Sequence, residues 1–434
     1  MENKIYDPKM ECISRDELFE IQSKRLAETV RRVYDNVPLY RKRMDEKGVR
    51  PEDIKTRDDL RLLPFTEKTD LRDCFPFGLL AAPKKEIVRI QGSSGTTGKP
   101  IVSGYTANDI EVWTEMVARA LTAAGAGPDD IIQVAYGYGL FTGGLGAHQG
   151  AQRVGAMVIP MSSGNTQRQL MMMKELGSTM LCCTPSYATY LGETAREMGI
   201  VDDLKLKSGC FGAEPWSEEM RRNLEGLLNI DAMDIYGLTE IAGPGVSFEC
   251  CAKNGCHVNE DHVIPEIIDP VTGEPMPYGV PGELVFTTIT KEGQPMLRYR
   301  THDICVLYDD PCPCGRTHVR MGRITGRTDD MLVIRGVNVF PSQIESVLVG
   351  INGVAPHYVI IAERENYTDS LEVQVELTEN MFSDTVAHIE TLRRQIADQI
   401  KSVVGIQCKI TLVAPRSIPR SEGKAKRLID NRKI

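Results

Sequence analysis

The chain has 434 residues, of which 41% are hydrophobic and 26% charged, a composition typical of a soluble globular protein with more than one core. Its net charge of -9 argues against general binding to nucleic acids or anionic membranes, because both favour basic surfaces. The sequence contains no run of 18 or more apolar residues and no signal-peptide core, so we expect a cytoplasmic protein that is not bound to a membrane.

The first part of the chain is predicted to be helical. Ser14-Arg-Asp-Glu17 is a capping box, a pattern that satisfies the free N–H groups where a helix begins. This helix should end before Pro38, and its apolar stripe consists of Leu26, Val30, Val33 and Val37. A second, charged helical segment is predicted over residues 51–63. We expect no chemistry before residue 90.

Strands and helices alternate in the middle of the chain. Helices are predicted over residues 106–124, 165–176, 185–198 and 217–228. Apolar runs typical of strands lie at residues 131–136, 154–161, 179–184 and 230–235. This alternation indicates βαβ units, so we predict an α/β fold with mainly parallel sheets and a ligand site beyond the carboxyl ends of the strands.

The later part of the chain changes character twice. Segments rich in Gly, Pro and Thr predict strands at 262–268, 282–288 and 304–308, within a β-rich subdomain at 245–325. Further on, we predict in order a helix, two strands, a helix and a strand, at 341–348, 358–362, 371–377, 384–403 and 409–413. We therefore predict a large N-terminal domain, residues 1–327, and a small mobile α+β domain, residues 328–434.

The stretch Gln91-Gly-Ser-Ser-Gly-Thr-Thr-Gly-Lys-Pro100 has the composition of a phosphate-binding loop. Its glycines let backbone N–H groups approach an anion, its hydroxyls can donate to that anion, and Lys99 supplies positive charge. It is not a Walker A loop, because that pattern needs a glycine at Ser93 and a hydroxyl residue at Pro100. A flexible turn is the alternative interpretation.

Three aromatic residues, Tyr136, Tyr138 and Phe141, lie close together in a chain that is only 6% aromatic. The glycines among and after them are Gly137, Gly139, Gly143, Gly144 and Gly146. Rings beside open space suit a flat apolar ligand, so we predict that this segment lines a binding pocket. Core packing, with glycines at close contacts, is the alternative.

The chain has twelve cysteines, which we expect to be free thiols or metal ligands rather than disulfides. Cys312-Pro-Cys314 is a close thiol pair, and an earlier cluster contains Cys250, Cys251, Cys256 and His257. We predict a structural Cys₃His zinc site formed by Cys250, His257, Cys312 and Cys314. Three alternatives stay open: Cys251 or Cys256 in place of Cys250, His318 in place of His257, and ordinary buried thiols.

Four further motifs follow the phosphate loop in a fixed order: Tyr236-Gly-Leu-Thr-Glu240, Tyr299-Arg-Thr-His-Asp303, Gly326-Arg-Thr-Asp-Asp330 and Gly423-Lys424. Together the five motifs resemble the adenylate-forming superfamily, which includes acyl-CoA synthetases, luciferases and peptide-synthetase adenylation domains. Three segments are most similar to the phenylacetate-CoA ligases: residues 136–144, Arg335-Gly-Val-Asn-Val-Phe-Pro341 and residues 419–427. The resemblance covers nearly the whole chain.

The resemblance implies a site for ATP and Mg²⁺. The expected contacts to the β- and γ-phosphates come from Ser93, Ser94, Gly95, Thr96, Thr97, Gly98 and Lys99. Thr239 is expected at the α-phosphate and Glu240 at Mg²⁺, while Asp303 and Arg327 should contact the ribose. The expected adenine slot consists of Gly212, Ala213, Glu214, Pro215, Asp234, Ile235, Tyr236 and Gly237. The resemblance makes the predicted binding pocket an acyl pocket for a flat apolar acid, and the residues assigned to it are Tyr136, Tyr138, Phe141, Gly143, Gly144 and Ala213. A solvated carboxylate at Glu240 and an ordinary turn after residue 212 are the structural alternatives.

The resemblance also assigns two residues to the mechanism. Lys424 matches the catalytic lysine, whose ammonium bridges the acid carboxylate and the α-phosphate. Asp329 matches the hinge about which the C-terminal domain turns. These matches imply an acid-thiol ligase that joins a phenylacetate-like aryl acid to coenzyme A. Loading of a carrier protein and a regulatory ATP-binding module without catalysis are the alternatives. The particular acid, the CoA contacts and the formation of a homodimer are left open.

Overall fold

The computed structural model of the chain describes residues 2–93, 101–328, 332–334, 337–365, 368–383, 386–421 and 427–432. Within these residues the α-helices are α1 Pro8–Glu11, α2 Arg15–Asn36, α3 Pro38–Glu46, α4 Lys68–Asp73, α5 Ala107–Ala123, α6 Thr142–Arg153, α7 Thr166–Glu175, α8 Pro185–Glu197, α9 Glu218–Leu228, α10 Pro341–Leu348, α11 Glu379–Phe382 and α12 Val386–Val404. Short 3₁₀ helices lie at Pro51–Asp53, Arg57–Leu62, Lys84–Glu86 and Val201–Asp203.

Fifteen of the described strands lie before residue 328. They are β1 Ile87–Ser93, β2 Ile101–Thr106, β3 Ile131–Val134, β4 Met157–Pro160, β5 Met180–Cys183, β6 Ser208–Gly212, β7 Asp231–Leu238, β8 Gly243–Glu249, β9 Cys256–Val258, β10 Val263–Ile268, β11 Gly282–Thr288, β12 Tyr299–Cys305, β13 Leu307–Tyr308, β14 Arg320–Met321 and β15 Gly326–Arg327. The later strands are β16 Leu332–Ile334, β17 Val337–Val339, β18 Val354–Glu365, β19 Thr368–Leu377, β20 Lys409–Val413 and β21 Leu428–Asp430.

The largest sheet has the strand order β13-β14-β9-β8-β7-β6-β5-β3-β4 among the described residues. The pairs from β4 through β3, β5 and β6 to β7 are parallel, whereas those from β7 to β13 are antiparallel. The predicted α/β fold is therefore confirmed, and its parallel region ends at β7. This strand delivers Tyr236 and the residues after it to the edge where ligand sites of parallel sheets lie.

Smaller sheets flank the large one. Strands β1 and β2 form an antiparallel hairpin, and β10, β11, β12 and β15 form an antiparallel sheet. Near the C-terminus, β20, β19, β18 and β21 form a mixed sheet, against which Ile396 and Ile400 of α12 are fully buried. The buried apolar residues of this later region form their own cluster, separate from the cores of the preceding residues.

Many predicted elements appear where expected. Ser14 caps α2 by accepting from the Glu17 N–H, and β11, α10 and β20 have the predicted bounds. In contrast, residues 51–63 form two 3₁₀ helices, because Asp53 and Asp59 accept from the backbone N–H groups of Arg50 and Thr56. Such local side-chain bonds favour short turns over a continuous helix.

The strand expected at residues 304–308 begins earlier than predicted. Strand β12 starts at Tyr299 and alternates buried and partly exposed residues up to Cys305. The polar side chains of Arg300 and His302 occupy the more exposed face, so the apolar run alone did not reveal the strand. As a result, the Tyr299–Asp303 motif lies on a strand rather than in a loop.

Within the part of the chain that the structure describes, we find no helix that combines the length and apolar character needed to cross a bilayer.

Candidate active site and metal centre

The β1–β2 hairpin carries the predicted phosphate loop. Ser93 ends β1 and pairs with Ile101 at the start of β2. The other predicted phosphate contacts, residues 94–99, lie outside the described residues, as do Asp329 and Lys424. The backbone N–H of Gly92 donates to the carbonyl oxygen of Leu140 at 2.7 Å. This bond places the aromatic segment next to the base of the loop.

Two tyrosine–carboxylate hydrogen bonds join the motifs that were predicted to hold ATP. The Tyr236 hydroxyl donates to Asp303 Oδ2 at 2.6 Å, and the Tyr299 hydroxyl donates to Glu240 Oε1 at 3.2 Å. Burial and the Asp303 charge raise the pKa of Tyr236 well above its ordinary value, so this phenol remains a donor. Thr239 and Glu240 are both buried. The two motifs, far apart in the sequence, therefore form one polar site.

The two predicted ribose contacts are neighbours. Asp303 on β12 and Arg327 on β15 face each other in register and form an ion pair. Arg327 also donates to the carbonyl oxygen of Thr301 at 3.3 Å. His302, between Thr301 and Asp303, has a φ of 64°, which a residue with a side chain rarely adopts. Strain of this kind is typical of functional sites, where the surrounding structure holds it in place.

The predicted adenine slot lies where β6 and β7 end. A Cβ atom on Gly212 would lie 1.9 Å from the Ile235 carbonyl oxygen, so the close approach of these strands requires glycine there. Ala213 follows with a left-handed φ of 73°. The carboxylate of Glu214 accepts from the Ser186 N–H at 2.6 Å, at the start of α8. Glu214 thus fixes the helix beside the slot.

Two other residues of the predicted slot are Gly237, which is closely packed, and Asp234, whose pKa is shifted by burial. Gly237 lies so near the neighbouring strand that a Cβ would sit 1.8 Å from the Gly243 carbonyl oxygen. The pKa of Asp234 is raised to about 6, chiefly by burial and also by the nearby Glu249 charge.

The aromatic segment packs tightly. The rings of Tyr136 and Phe141 lie 6.4 Å apart, and the Tyr138 hydroxyl lies 3.2 Å from His148 Nδ1. A Cβ on Gly143 would lie 2.4 Å from the Phe141 ring, and one on Gly144 would lie 2.6 Å from a backbone oxygen. The space beside these two glycines is therefore filled by the protein. Both glycines make close contacts on this side, and they remain predicted pocket residues together with Tyr136, Tyr138, Phe141 and Ala213.

Sequence reasoning missed Lys291, which lies in the turn between β11 and β12. Only 7% of its surface is exposed, and its ammonium contacts Ser103 and the backbone of Glu240. Burial lowers the pKa of Lys291 to about 8, although the charges of Asp109 and Glu240 act in the opposite direction. The Thr-Lys-Glu-Gly sequence around it is typical of a surface turn, so no signal in the sequence distinguished this lysine from a solvated one.

The four predicted metal ligands come together. The ligand atoms of Cys250, His257, Cys312 and Cys314 all lie within 4.8 Å of one another, and all four residues are buried. The sulfur atoms of Cys250 and Cys312 are 3.6 Å apart, and His257 Nε2 is 3.3 Å from Cys314 Sγ. Tetrahedral zinc with Zn–S bonds of about 2.3 Å places its ligand atoms about 3.5 to 3.8 Å apart, so small shifts of these side chains would bring all four atoms to bonding distance. The residues present therefore fit such an ion.

Contacts from outside the four ligand atoms orient this cluster. His257 Nδ1 lies 3.1 Å from the His318 carbonyl oxygen, which leaves Nε2 directed at the thiols. Hydrogen bonds from Cys250 and His257 lower the pKa of Cys314, which favours the thiolate that a metal binds. His318 contributes its backbone to the cluster, and neither Cys251 nor Cys256 belongs to the group of four found among the described residues.

Contacts join the C-terminal region to helix α8. His357 Nε2 lies 3.2 Å from Glu193, and Arg420 Nε lies 3.9 Å from the same carboxylate. Arg427 donates to the Ser186 hydroxyl at 3.3 Å. These contacts hold the C-terminal region against α8, the helix whose start also contacts Glu214 of the predicted adenine slot.

A sequence profile of AMP-binding enzymes matches residues 16–290, and a profile of the AMP-binding enzyme C-terminal domain matches residues 336–432. The chain belongs to the AMP-binding enzyme family, as the five motifs predicted. It is 50% identical to the phenylacetate-coenzyme A ligase of Thermus thermophilus over 99% of this chain and 100% of that protein.

Solved structures of 2-hydroxyisobutyryl-CoA ligase share the fold. In its postadenylation state, with an acyl-AMP bound, that protein is 29% identical and gives a TM-score of 0.92 over 98% of this chain and 92% of its own. The structure of the same ligase in its thioesterification state is 30% identical, with a TM-score of 0.73 over 100% of this chain and 93% of the ligase chain. The structure of this chain is therefore more similar to the ligase in its postadenylation state than to the ligase in its thioesterification state.

Proposed function

We infer that this chain is an ATP-dependent acid-thiol ligase that joins phenylacetate, or a closely related aryl acid, to coenzyme A. The observation that carries the inference is the pairing of Tyr236 with Asp303 and of Tyr299 with Glu240, which assembles the ATP motifs into one site. The whole-length identity of 50% to a phenylacetate-coenzyme A ligase supports the choice of acid and acceptor.

The reaction has two steps at one site. The acid carboxylate attacks the α-phosphorus of ATP, pyrophosphate leaves, and an acyl-adenylate forms. The thiol of coenzyme A then attacks the acyl carbonyl, AMP leaves, and a thioester forms. Negative charge grows at the α-phosphate during the first step, so fixed donors and cations there accelerate it.

Different residues of this chain bind the ribose and stabilise the phosphate charge. Asp303, held by Tyr236 and Arg327, is oriented to accept hydrogen bonds from the ribose hydroxyls. Thr239 and Glu240 follow β7 at the predicted α-phosphate position, where the Glu240 carboxylate would hold Mg²⁺. When bound, Mg²⁺ would neutralise part of the phosphate charge. The loop from Ser93 to Lys99 supplies donors for the departing pyrophosphate.

A pyrophosphate-release assay with a panel of aryl and alkyl acids, with and without coenzyme A, tests this function. We expect phenylacetate-like acids to release pyrophosphate faster than short alkyl acids, and coenzyme A to sustain turnover. Turnover with a carrier protein but not with coenzyme A would favour the carrier-loading alternative. Absence of pyrophosphate release with every acid would favour the non-catalytic ATP-binding module.

The acyl pocket is proposed to include Tyr136 and Phe141. Replacing Phe141 by alanine should raise KM for the aryl acid far more than KM for ATP, because a lost ring contact is worth about 1 to 3 kcal/mol. Steady-state kinetics with each substrate varied in turn measures this. Leu140→Ala is a matched control, since the Leu140 side chain is 56% exposed. Equal rises in both KM values would identify Phe141 as a packing residue instead.

We also propose a structural zinc ion at Cys250, His257, Cys312 and Cys314. When bound, the ion supplies a cross-link between the segment after β8 and the segment before β14. Three buried thiols beside a histidine whose other nitrogen faces a carbonyl form a donor set suited to Zn²⁺.

Protein purified without added zinc should contain about one equivalent of zinc per chain. Cys314→Ser should reduce the zinc content at least about fivefold and lower the melting temperature, because one thiolate ligand is lost. Cys251→Ser, a half-buried neighbour outside the group of four, should change neither. Metal-free wild-type protein with unchanged melting in the Cys314 variant would rule the site out.

The division into residues 1–327 and 328–434 with a hinge at Asp329 belongs to the same proposal. It is supported by the separate apolar cluster of the C-terminal region and by the separate match of residues 336–432. A cytoplasmic location is proposed as well, because ATP and coenzyme A are available there.

A further inference from the structure

A turn between β11 and β12 lies along strand β2, which leaves the phosphate loop. The Gln294 amide donates to the Val102 carbonyl oxygen at 3.1 Å and accepts from the Gly104 N–H at 3.3 Å. A Cβ on Gly293 would lie 2.6 Å from the Gly104 carbonyl oxygen, so the turn requires glycine for this close approach. The turn and the strand therefore form one rigid unit.

Lys291 connects this unit to the segment after β7. Its ammonium donates to the Ser103 hydroxyl at 2.7 Å and to the Glu240 carbonyl oxygen at 3.0 Å. Ser103 pairs with Gln91, the first residue of the phosphate-loop stretch. A buried lysine side chain is uncommon unless its charge and its donors are satisfied, so this placement is a specific feature of the site.

Tyr105 provides a second connection in the same direction. Its ring lies 4.6 Å from the Lys291 ammonium, and its buried hydroxyl donates to the carbonyl oxygens of Thr239 at 3.0 Å and Ala242 at 3.2 Å. Tyr105 of β2 and Lys291 of the neighbouring turn thus contact the backbone of Thr239, Glu240 and Ala242.

The turn that carries Lys291 is fixed by the buried carboxylate of Asp109. Asp109 accepts from the Glu292 N–H at 2.6 Å and from the Gly293 N–H at 2.8 Å. It also accepts from the Thr106 N–H at 2.8 Å, where α5 begins. The negative charge of Asp109 near Lys291 offsets part of the cost of burying the ammonium. Lys291 therefore has little freedom to move away from Glu240.

We propose that Lys291 is a positioning residue of the ligase, which fixes the phosphate-loop hairpin relative to Thr239 and Glu240 and so sets the geometry for binding MgATP. This rests on the proposed function, because it takes the loop and residues 239–240 as two halves of one triphosphate site. Within the described residues, the hydrogen bonds of the Lys291 ammonium to Ser103 and to the Glu240 carbonyl oxygen are the contacts through which it would act.

Lys291→Met tests the proposal, because methionine fills a similar volume without charge or hydrogen-bond donors. We expect KM for MgATP in ATP–pyrophosphate exchange to rise at least about tenfold, with KM for the acid changed less than about twofold. Thioester formation from supplied acyl-adenylate and coenzyme A should stay near the wild-type rate. Ser103→Ala, a small change that removes one acceptor, should raise the same KM by a smaller factor and serves if the methionine variant does not fold.

Lys253→Met is the control for lost stability, since this half-buried lysine bridges Glu225 and Asp231 away from the ATP motifs. It should lower the melting temperature without changing KM for MgATP. Equilibrium binding of MgATP, measured by calorimetry without acid, separates this proposal from the function, because it needs no turnover. Unchanged MgATP affinity in both Lys291→Met and Ser103→Ala, or equal changes for MgATP and acid, would overturn the positioning role.

Discussion

Replacing Lys424 by alanine is expected to slow acyl-adenylate formation about 10²- to 10³-fold and to spare thioester formation from supplied acyl-adenylate. The reason is that the lysine charge is needed only while negative charge develops between the acid carboxylate and the α-phosphate. In the second step the thiol displaces AMP, and the proposed turn about Asp329 would already have moved Lys424 away from the acyl carbonyl. ATP–pyrophosphate exchange measures the first half-reaction, and thioester formation from synthetic acyl-adenylate measures the second.

Lys426→Ala is the matched control for Lys424, because it removes the same charge from the same basic segment two positions along. It should change the exchange rate by less than about threefold, because no motif assigns this lysine a role in the reaction. Equal losses in both half-reactions of the Lys424 variant, or similar losses in the two variants, would contradict a specific role for Lys424.

Proline at position 329 should uncouple the two half-reactions. We expect Asp329→Pro to keep substantial ATP–pyrophosphate exchange while overall thioester production falls at least about tenfold, about 1.4 kcal/mol in barrier. Proline fixes its own φ near -65° and also restricts the preceding Thr328, so a hinge at this position loses the freedom to turn. Parallel assays of exchange and thioester formation measure the difference.

The proposed turn would break contacts that the C-terminal region makes in this structure, such as those of His357 and Arg420 with Glu193. The chain as a whole matches the postadenylation state of 2-hydroxyisobutyryl-CoA ligase better than the thioesterification state of that protein. Asp329→Ala removes the carboxylate without restricting φ, so it should retain most thioester production. Wild-type thioester rates in the proline variant would remove the hinge from this account, and equal loss of both activities would indicate local unfolding.

Periodicity predicted the parallel part of the fold, and motif order predicted the family to which the chain belongs. The capping residue Ser14, the bounds of α10 and the four metal-ligand candidates all follow from local patterns. Each of these patterns depends on residues close in sequence or on a ligand type with strict chemistry, which is why sequence reasoning reached them.

Features that depend on tertiary packing were missed. Helix α6 begins with several glycines, which disfavour a helix, yet Gly146 is placed where a Cβ would lie 2.7 Å from the Trp113 ring. Close packing also occupies the Cβ side of Gly143 and Gly144, whereas the Cβ position of Gly139 is open among the described residues. Lys291 was missed because its burial depends on Asp109 and Ser103, which are distant in sequence.

The most direct test of the central claim is the product balance of the wild-type chain with phenylacetate, ATP, Mg²⁺ and coenzyme A. The account predicts phenylacetyl-CoA, AMP and pyrophosphate in equal amounts, and an enzyme-bound phenylacetyl-adenylate when coenzyme A is omitted. Formation of ADP and phosphate in place of AMP and pyrophosphate, or pyrophosphate release that does not depend on any acid, would contradict it.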